Sequence, residues 1–125
     1  MKLLLHDTTD LEATEIDGAG HLHVEGDAGG EGFGPLQMLA ASLALCTASV
    51  LVAYDEGVVH VGTAGLSVRV RWSYDEGRVA RMQMAITWPE LPENRVEPAR
   101  RAAATCTVHR TLSHPTDVET TVSRS

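Results

Sequence analysis

Between Pro35 and Tyr54 the chain runs for twenty residues without a charged side chain. A proline at the first helical position followed by Leu36, Gln37, Met38, Leu39 and Ala40 suits helix initiation and propagation. At about 1.5 Å per residue the segment makes a helix about 30 Å long. That length meets the rule for a membrane span. Against a span, the segment is rich in Ala, Ser and Thr, lacks a basic flank, and meets Asp55-Glu56-Gly57, which is read as ending it abruptly. Apolar residues occur all round it rather than on one stripe, the pattern of a helix buried within a domain or between subunits. Whatever else the chain forms must therefore wrap this helix.

The remaining segments supply strands for that purpose. Residues 10–16 and His21–Glu25 read as a polar hairpin around Gly18-Ala19-Gly20. A glycine-dense loop, Gly26 to Gly34, follows; it lacks the Gly-Lys-Ser/Thr ending of a phosphate cradle and reads as a flexible lid or entry loop. Leu66, Val68, Val70, Trp72 and Tyr74 alternate with polar residues, Asp75-Glu76-Gly77-Arg78 turns the chain, and Ala80, Met82, Met84, Ile86 and Trp88 line one face of a returning strand. A second helix begins between Asn94 and Pro98 and runs to Cys106, a further turn covers Val108–Leu112, and Val118–Val122 reads as a last strand. This order predicts an α+β fold, a mostly antiparallel sheet wrapped around a long buried helix. At 125 residues, one domain spanning 1–125 is expected.

Charge narrows the partners. The formal net charge of -7 disfavours a surface that tracks phosphates, so nucleic acid is not expected as a partner. Residues 1–65 hold one lysine against ten acids, and residues 66–125 hold nine arginines against seven acids. The opening Met1 to Asp7 has too short an apolar run for an export signal. A cytoplasmic location is expected, with no membrane partner. In that compartment two cysteines favour a transient, catalytic disulfide over a permanent one.

Those cysteines, Cys46 within the long helix and Cys106 sixty positions on, are the candidate chemistry. A mid-helix thiol gains nothing from the helix dipole, which fades within the first turn. Cys46 therefore needs another activator to ionise at neutral pH. Leu39, Leu43 and Val50 lie around it at helical spacing, and Leu39 and Leu43 join Phe33 as candidate substrate-binding residues. Cys106 and His109, three apart, allow a His-assisted thiol or half of a metal site. His21 and His23 alternate onto one strand face and would supply further ligands, but they read as surface residues, and neither a metal nor a cofactor is assigned.

In order and spacing these segments resemble the OsmC/Ohr family of osmotically inducible and organic-hydroperoxide-resistance proteins. The resemblance rests on the Pro35, Leu39, Cys46 helix, the Trp72–Trp88 hairpin ending in Pro89-Glu90-Leu91, and Ala102-Ala103-Ala104-x-Cys106-x-Val108 before the last strand. It implies an OsmC-like fold, an intertwined homodimer, and a thiol peroxidase in which Cys46 is peroxidatic and Cys106 resolving. Its partners would be a small hydroperoxide and a dithiol reductant. Leu36 stands where the best-known members carry glutamate, Thr107 where proline usually follows the second cysteine, and residues 1–68 contain no arginine. Glu31, Arg69, Arg71 and Arg110 are the candidates to support the thiolate instead. The alternative is a non-peroxidase dimer of the same fold that binds a small hydrophobic ligand or carries sulfur.

Overall fold

The computed structural model describes the backbone of residues 2–5, 10–14 and 21–25, and residues 34–124 with their side chains, Tyr74 excepted. The chain divides into two compact units, Met1–Leu39 and Ala40–Ser125.

In the first unit, β1 (Lys2–Leu5), β2 (Asp10–Thr14) and β3 (His21–Glu25) form an antiparallel sheet in that order. β2 and β3 are the hairpin predicted from residues 10–25, while β1 is an addition that the sequence reading did not assign to a strand. The register sets Leu3 opposite Ala13, Leu5 opposite Leu11, Leu11 opposite Val24 and Ala13 opposite Leu22. Directly opposed residues share a face, so these apolar positions lie on one side of the sheet. The predicted turn at Gly18–Gly20 and the loop carrying Glu31 and Phe33 lie outside the described residues.

Helix α1 occupies Pro35–Tyr54, as predicted. Pro35 is its first helical residue, where a missing N–H costs nothing. The Gly34 N–H donates to Gln37 Oε1 at 2.9 Å, one half of a capping box. The predicted abrupt end is corrected by the structure, because Asp55–Val59 continues as a wider π-helical turn. His60, left-handed at φ 58°, closes that turn by donating its N–H to the Asp55 carbonyl at 2.8 Å. The buried Asp55 carboxylate accepts from the N–H groups of Val61 (2.9 Å) and Gly62 (3.0 and 3.1 Å). The acid read as a helix breaker thus holds the reversal into the next strand.

The second unit continues with β4 (Ser67–Asp75) and β5 (Arg78–Thr87), an antiparallel hairpin. Glu76 and Gly77 both have positive φ, the conformation of a tight hairpin turn. Val68 opposes Ile86, Val70 opposes Met84 and Trp72 opposes Met82 on the half-buried face, as the alternation predicts. One position departs: the register shifts between Ser73 and Tyr74, leaving Ala80 as the extra residue of a bulge. Ala80 is consequently exposed, and Val79 takes its place on the half-buried side.

Leu51 of α1, Trp88 after β5, and Ala99 and Ala103 of α2 (Val96–Ala103) form the core cluster, flanked by Tyr54, Leu66, Ile86 and Leu91. The two alanines, one helical turn apart, allow α2 a close approach. The Trp88 indole N–H donates to the Gly62 carbonyl at 2.9 Å, tying the core to the loop that Asp55 organises. By length and composition Pro35–Val59 could cross a membrane. Its buried residues Ala40, Leu43, Thr47 and Leu51 nevertheless recur on one stripe, and Leu51 packs in the core cluster. The opposite side remains apolar yet open, with Leu45 71% and Val52 37% exposed.

Two expectations at the C-terminal end are corrected. α2 stops at Ala103, and α3 (Thr107–Leu112) is a separate helix that starts after Cys106. Val118–Val122 forms no strand: Val118 and Val122 are 82% and 92% exposed, and no strand among the described residues pairs with the segment. Alternating β-branched residues do not hold a strand without a neighbouring edge and a surface to pack on.

Candidate functional site

Ending α2 three residues early places Cys106 at the N-cap of α3, in extended backbone (φ -53°, ψ 132°) with its side chain at the helix start. The first N–H groups of any helix lack intrahelical partners. Here sulfur atoms take them. The His109 N–H donates to Cys106 Sγ at 3.5 Å. The N–H groups of Thr107 and Val108 act on the sulfur of Cys46, which arrives from α1, and favour its anion. Only the fourth, Arg110 N–H, finds a helical partner, the Cys106 carbonyl at 2.9 Å.

The two cysteines are free thiols, Cys106 fully buried and Cys46 half-buried. The Cys46 thiol pKa lies below the ordinary thiol value. The largest cause is the hydrogen bond from the Cys106 side chain, followed by that from the Val108 N–H; burial opposes them, and the Thr107 N–H adds to them. Each of these donors favours the anion over the neutral thiol. A mid-helix cysteine with no dipole of its own has thus acquired the N-terminus of another helix.

The candidate thiolate supports are placed differently. Arg69 and Arg71 lie on the exposed face of β4, opposite the face that carries Val68 and Val70, and Arg110 is exposed on α3. The described groups acting on the Cys46 sulfur are a thiol and two amides, not a guanidinium. Glu31 and Phe33 fall outside the described residues. Leu43, buried, and Leu39, half-buried, lie three and seven residues before Cys46, on neighbouring positions of the same helix. His109 meets Cys106 through its backbone N–H. Among the described residues no group of three or more His, Cys, Asp or Glu is arranged to hold a metal ion.

One contributor escaped the sequence reading, and another, Thr107, was read only as a departure from the family pattern. Thr47, fully buried beside Cys46, donates its hydroxyl to Met84 Sδ of β5 at 3.3 Å and fixes α1 against the hairpin. A threonine inside an otherwise apolar stripe was the available signal. Thr107 matters through its backbone: a proline there would have no N–H to offer Cys46.

Residues 26–121 match the model of the OsmC-like protein family. The fold is similar to the crystal structure of a protein from Psychrobacter arcticus described as an osmotic stress induced and detoxification response protein. The two share a TM-score of 0.73 at 22% identity, over 91% of this chain and 87% of that one. No curated protein is similar enough in sequence to be matched with the chain.

Proposed function

The chain belongs to the OsmC-like protein family, and from that premise we propose that it is a thiol peroxidase acting on organic hydroperoxides through Cys46 and Cys106. The reading is carried by the Cys46 thiol, whose pKa is drawn below its ordinary value by the Cys106 side chain and by the N–H groups of Val108 and Thr107 at the start of α3. The anion is the nucleophile in thiol chemistry. Attack of the Cys46 thiolate on the outer peroxide oxygen breaks the O–O bond, the alkoxide leaves as alcohol after taking a proton, and Cys46 becomes a sulfenic acid. The Cys106 thiol, whose side chain already acts on Cys46, displaces hydroxide, which leaves as water, and a Cys46–Cys106 disulfide forms. A small dithiol then returns both thiols by exchange, itself becoming a disulfide. Leu39 and Leu43 would form part of the apolar approach for the organic group.

Leu45 and Val52, seven residues apart on the open side of α1, support a homodimer in which a second copy covers that side. Consumption of cumene hydroperoxide with a dithiol donor tests the catalytic reading. The wild-type chain turns over and, without donor, acquires one intramolecular disulfide; Cys46→Ser loses turnover, and Cys106→Ser reaches sulfenic acid once and stalls. Undiminished turnover in Cys46→Ser, or no disulfide after peroxide treatment, would reject it.

A further inference from the structure

The buried stripe of α1, made of Ala40, Leu43, Thr47 and Leu51, carries a single polar side chain. Thr47 is fully buried, and its hydroxyl donates to Met84 Sδ at 3.3 Å. Met84 is half-buried in the middle of β5, directly opposite Val70 of β4. Stability does not account for this pair. Taking a hydroxyl out of water is costly, a thioether is a weak acceptor, and valine has nearly the shape of threonine. Replacing both partners of such a bond by apolar groups of the same shape is close to neutral or even stabilising. A hydroxyl kept in the core on those terms points to a requirement other than packing.

That requirement is found one residue away. Cys46 and Thr47 are successive on α1, about 100° apart around its axis, so a rotation that moves one moves the other. Apolar contact is non-directional, and α1 is apolar on its open side too, where Leu45 and Val52 are exposed. A small rotation therefore exchanges one apolar contact for another, and packing opposes it only weakly. A hydrogen bond is directional, and threonine, branched at Cβ, has few side-chain conformations with which to follow a turning helix. Side-chain atoms lie about 5–6 Å from a helix axis, so a rotation of about 20° carries the Cys46 sulfur about 2 Å. A displacement of that size ends a hydrogen bond, and the Thr107 and Val108 N–H groups that favour the Cys46 anion act through such bonds.

We propose that Thr47 and Met84 are a positioning pair, whose bond sets the rotation of α1 against the β4–β5 hairpin and thereby aims the Cys46 sulfur at the first turn of α3. Coiled coils use the same device, a single polar residue in an apolar seam that specifies alignment. The assignment rests on the reading of Cys46 as the nucleophile, and the pair acts through Cys46 rather than on the peroxide.

Iodoacetamide alkylation of Cys46 over a series of pH values, alongside urea unfolding, tests the pair in the full chain. Thr47→Val and Met84→Leu should each move the alkylation profile to higher pH and slow labelling at least about threefold where the thiol is mostly protonated, with urea midpoints close to that of the wild type. Thr47→Ser, which keeps the hydroxyl, should stay near the wild-type profile. The double variant should move the profile no further than either single variant, since both remove one contact. A purely structural role would lower the urea midpoint and leave the profile in place. An unmoved profile in Thr47→Val or Met84→Leu, a Thr47→Ser profile moved as far as that of Thr47→Val, or additive shifts in the double variant would overturn the proposal. No peroxide enters the measurement, so unmoved profiles in a chain that still turns over hydroperoxide reject the positioning pair alone, and shifted profiles in a chain without turnover reject the peroxidase reading alone.

Discussion

Replacing Thr107 with proline removes a single N–H donor from the Cys46 sulfur and leaves the surrounding backbone able to stand as it is. Proline is favoured at the first residue of a helix, which Thr107 occupies in α3. The residue before a proline must be extended, and Cys106 already is, at φ -53° and ψ 132°. The helix loses no internal bond, since its first one runs from the Arg110 N–H to the Cys106 carbonyl. What disappears is the contact between the Thr107 N–H and the thiolate. Hydrogen bonds to charged groups contribute about 1.5–3 kcal/mol, but water competes at a half-exposed sulfur and Thr107 is the weaker of its two amide donors, so about 1 kcal/mol is the fair figure. At any pH where the thiol is mostly protonated, that corresponds to a fall of about fivefold in the thiolate fraction. The sign is set by the structure: the donor holds the pKa down, so its removal moves the pH profile of Cys46 alkylation to higher pH. Iodoacetamide labelling at a series of pH values, followed by intact mass, reads Cys46 selectively because Cys106 is fully buried. Thr107→Val, which keeps the N–H, should superimpose on the wild type. A Thr107→Pro profile that also superimposes would show that the amide does not hold the thiolate and that the α3 N-terminus is not the activator.

Two further outcomes follow from groups on either side of that site. Cys46 ionises more readily folded than unfolded, so its contribution to stability is complete above the ordinary thiol pKa and is lost as pH falls through the folded-state value; urea melts under reducing conditions should show the stability of wild type relative to Cys46→Ser declining as pH drops across that window, and a constant difference would contradict it. Asp55→Ala leaves the Val61 and Gly62 N–H groups without their carboxylate partner and should cost about 1–3 kcal/mol in urea unfolding, with Asp55→Asn costing less; loss below about 0.5 kcal/mol, the range of an ordinary surface change, would mean the turn holds itself.

Local periodicity made most of the second unit legible. The uncharged run from Pro35 to Tyr54 marked α1 end to end, and the alternation through Val68, Val70 and Trp72 marked the buried face of β4. The errors fell where a residue's role depends on a partner far along the chain. Asp55 looks like a helix stop until the N–H groups of Val61 and Gly62 are brought to it. Val118 to Val122 has the composition of a strand but no edge among the described residues to pair with. Ala80 has the right parity for the inner face, and one bulge moves it to the outside.

Cys106 illustrates the same dependence at the site itself. Read locally, Ala102 to Cys106 continues a helix, and a thiol at a helix C-terminus would face the negative end of the dipole, the wrong place to stabilise a neighbouring anion. Stopping α2 at Ala103 and restarting at Thr107 reverses that electrostatic setting, because the same thiol then sits at a positive end, with the Thr107 and Val108 N–H groups turned to Cys46 and that of His109 turned back to Cys106. Helix α3 has only six residues, too short for a large dipole, so the effect rests on the discrete N–H donors rather than on the helix as a whole. The arginine-free N-terminal half therefore need not leave the thiol inert: backbone amides and one partner thiol act on it where the sequence offered only guanidinium groups.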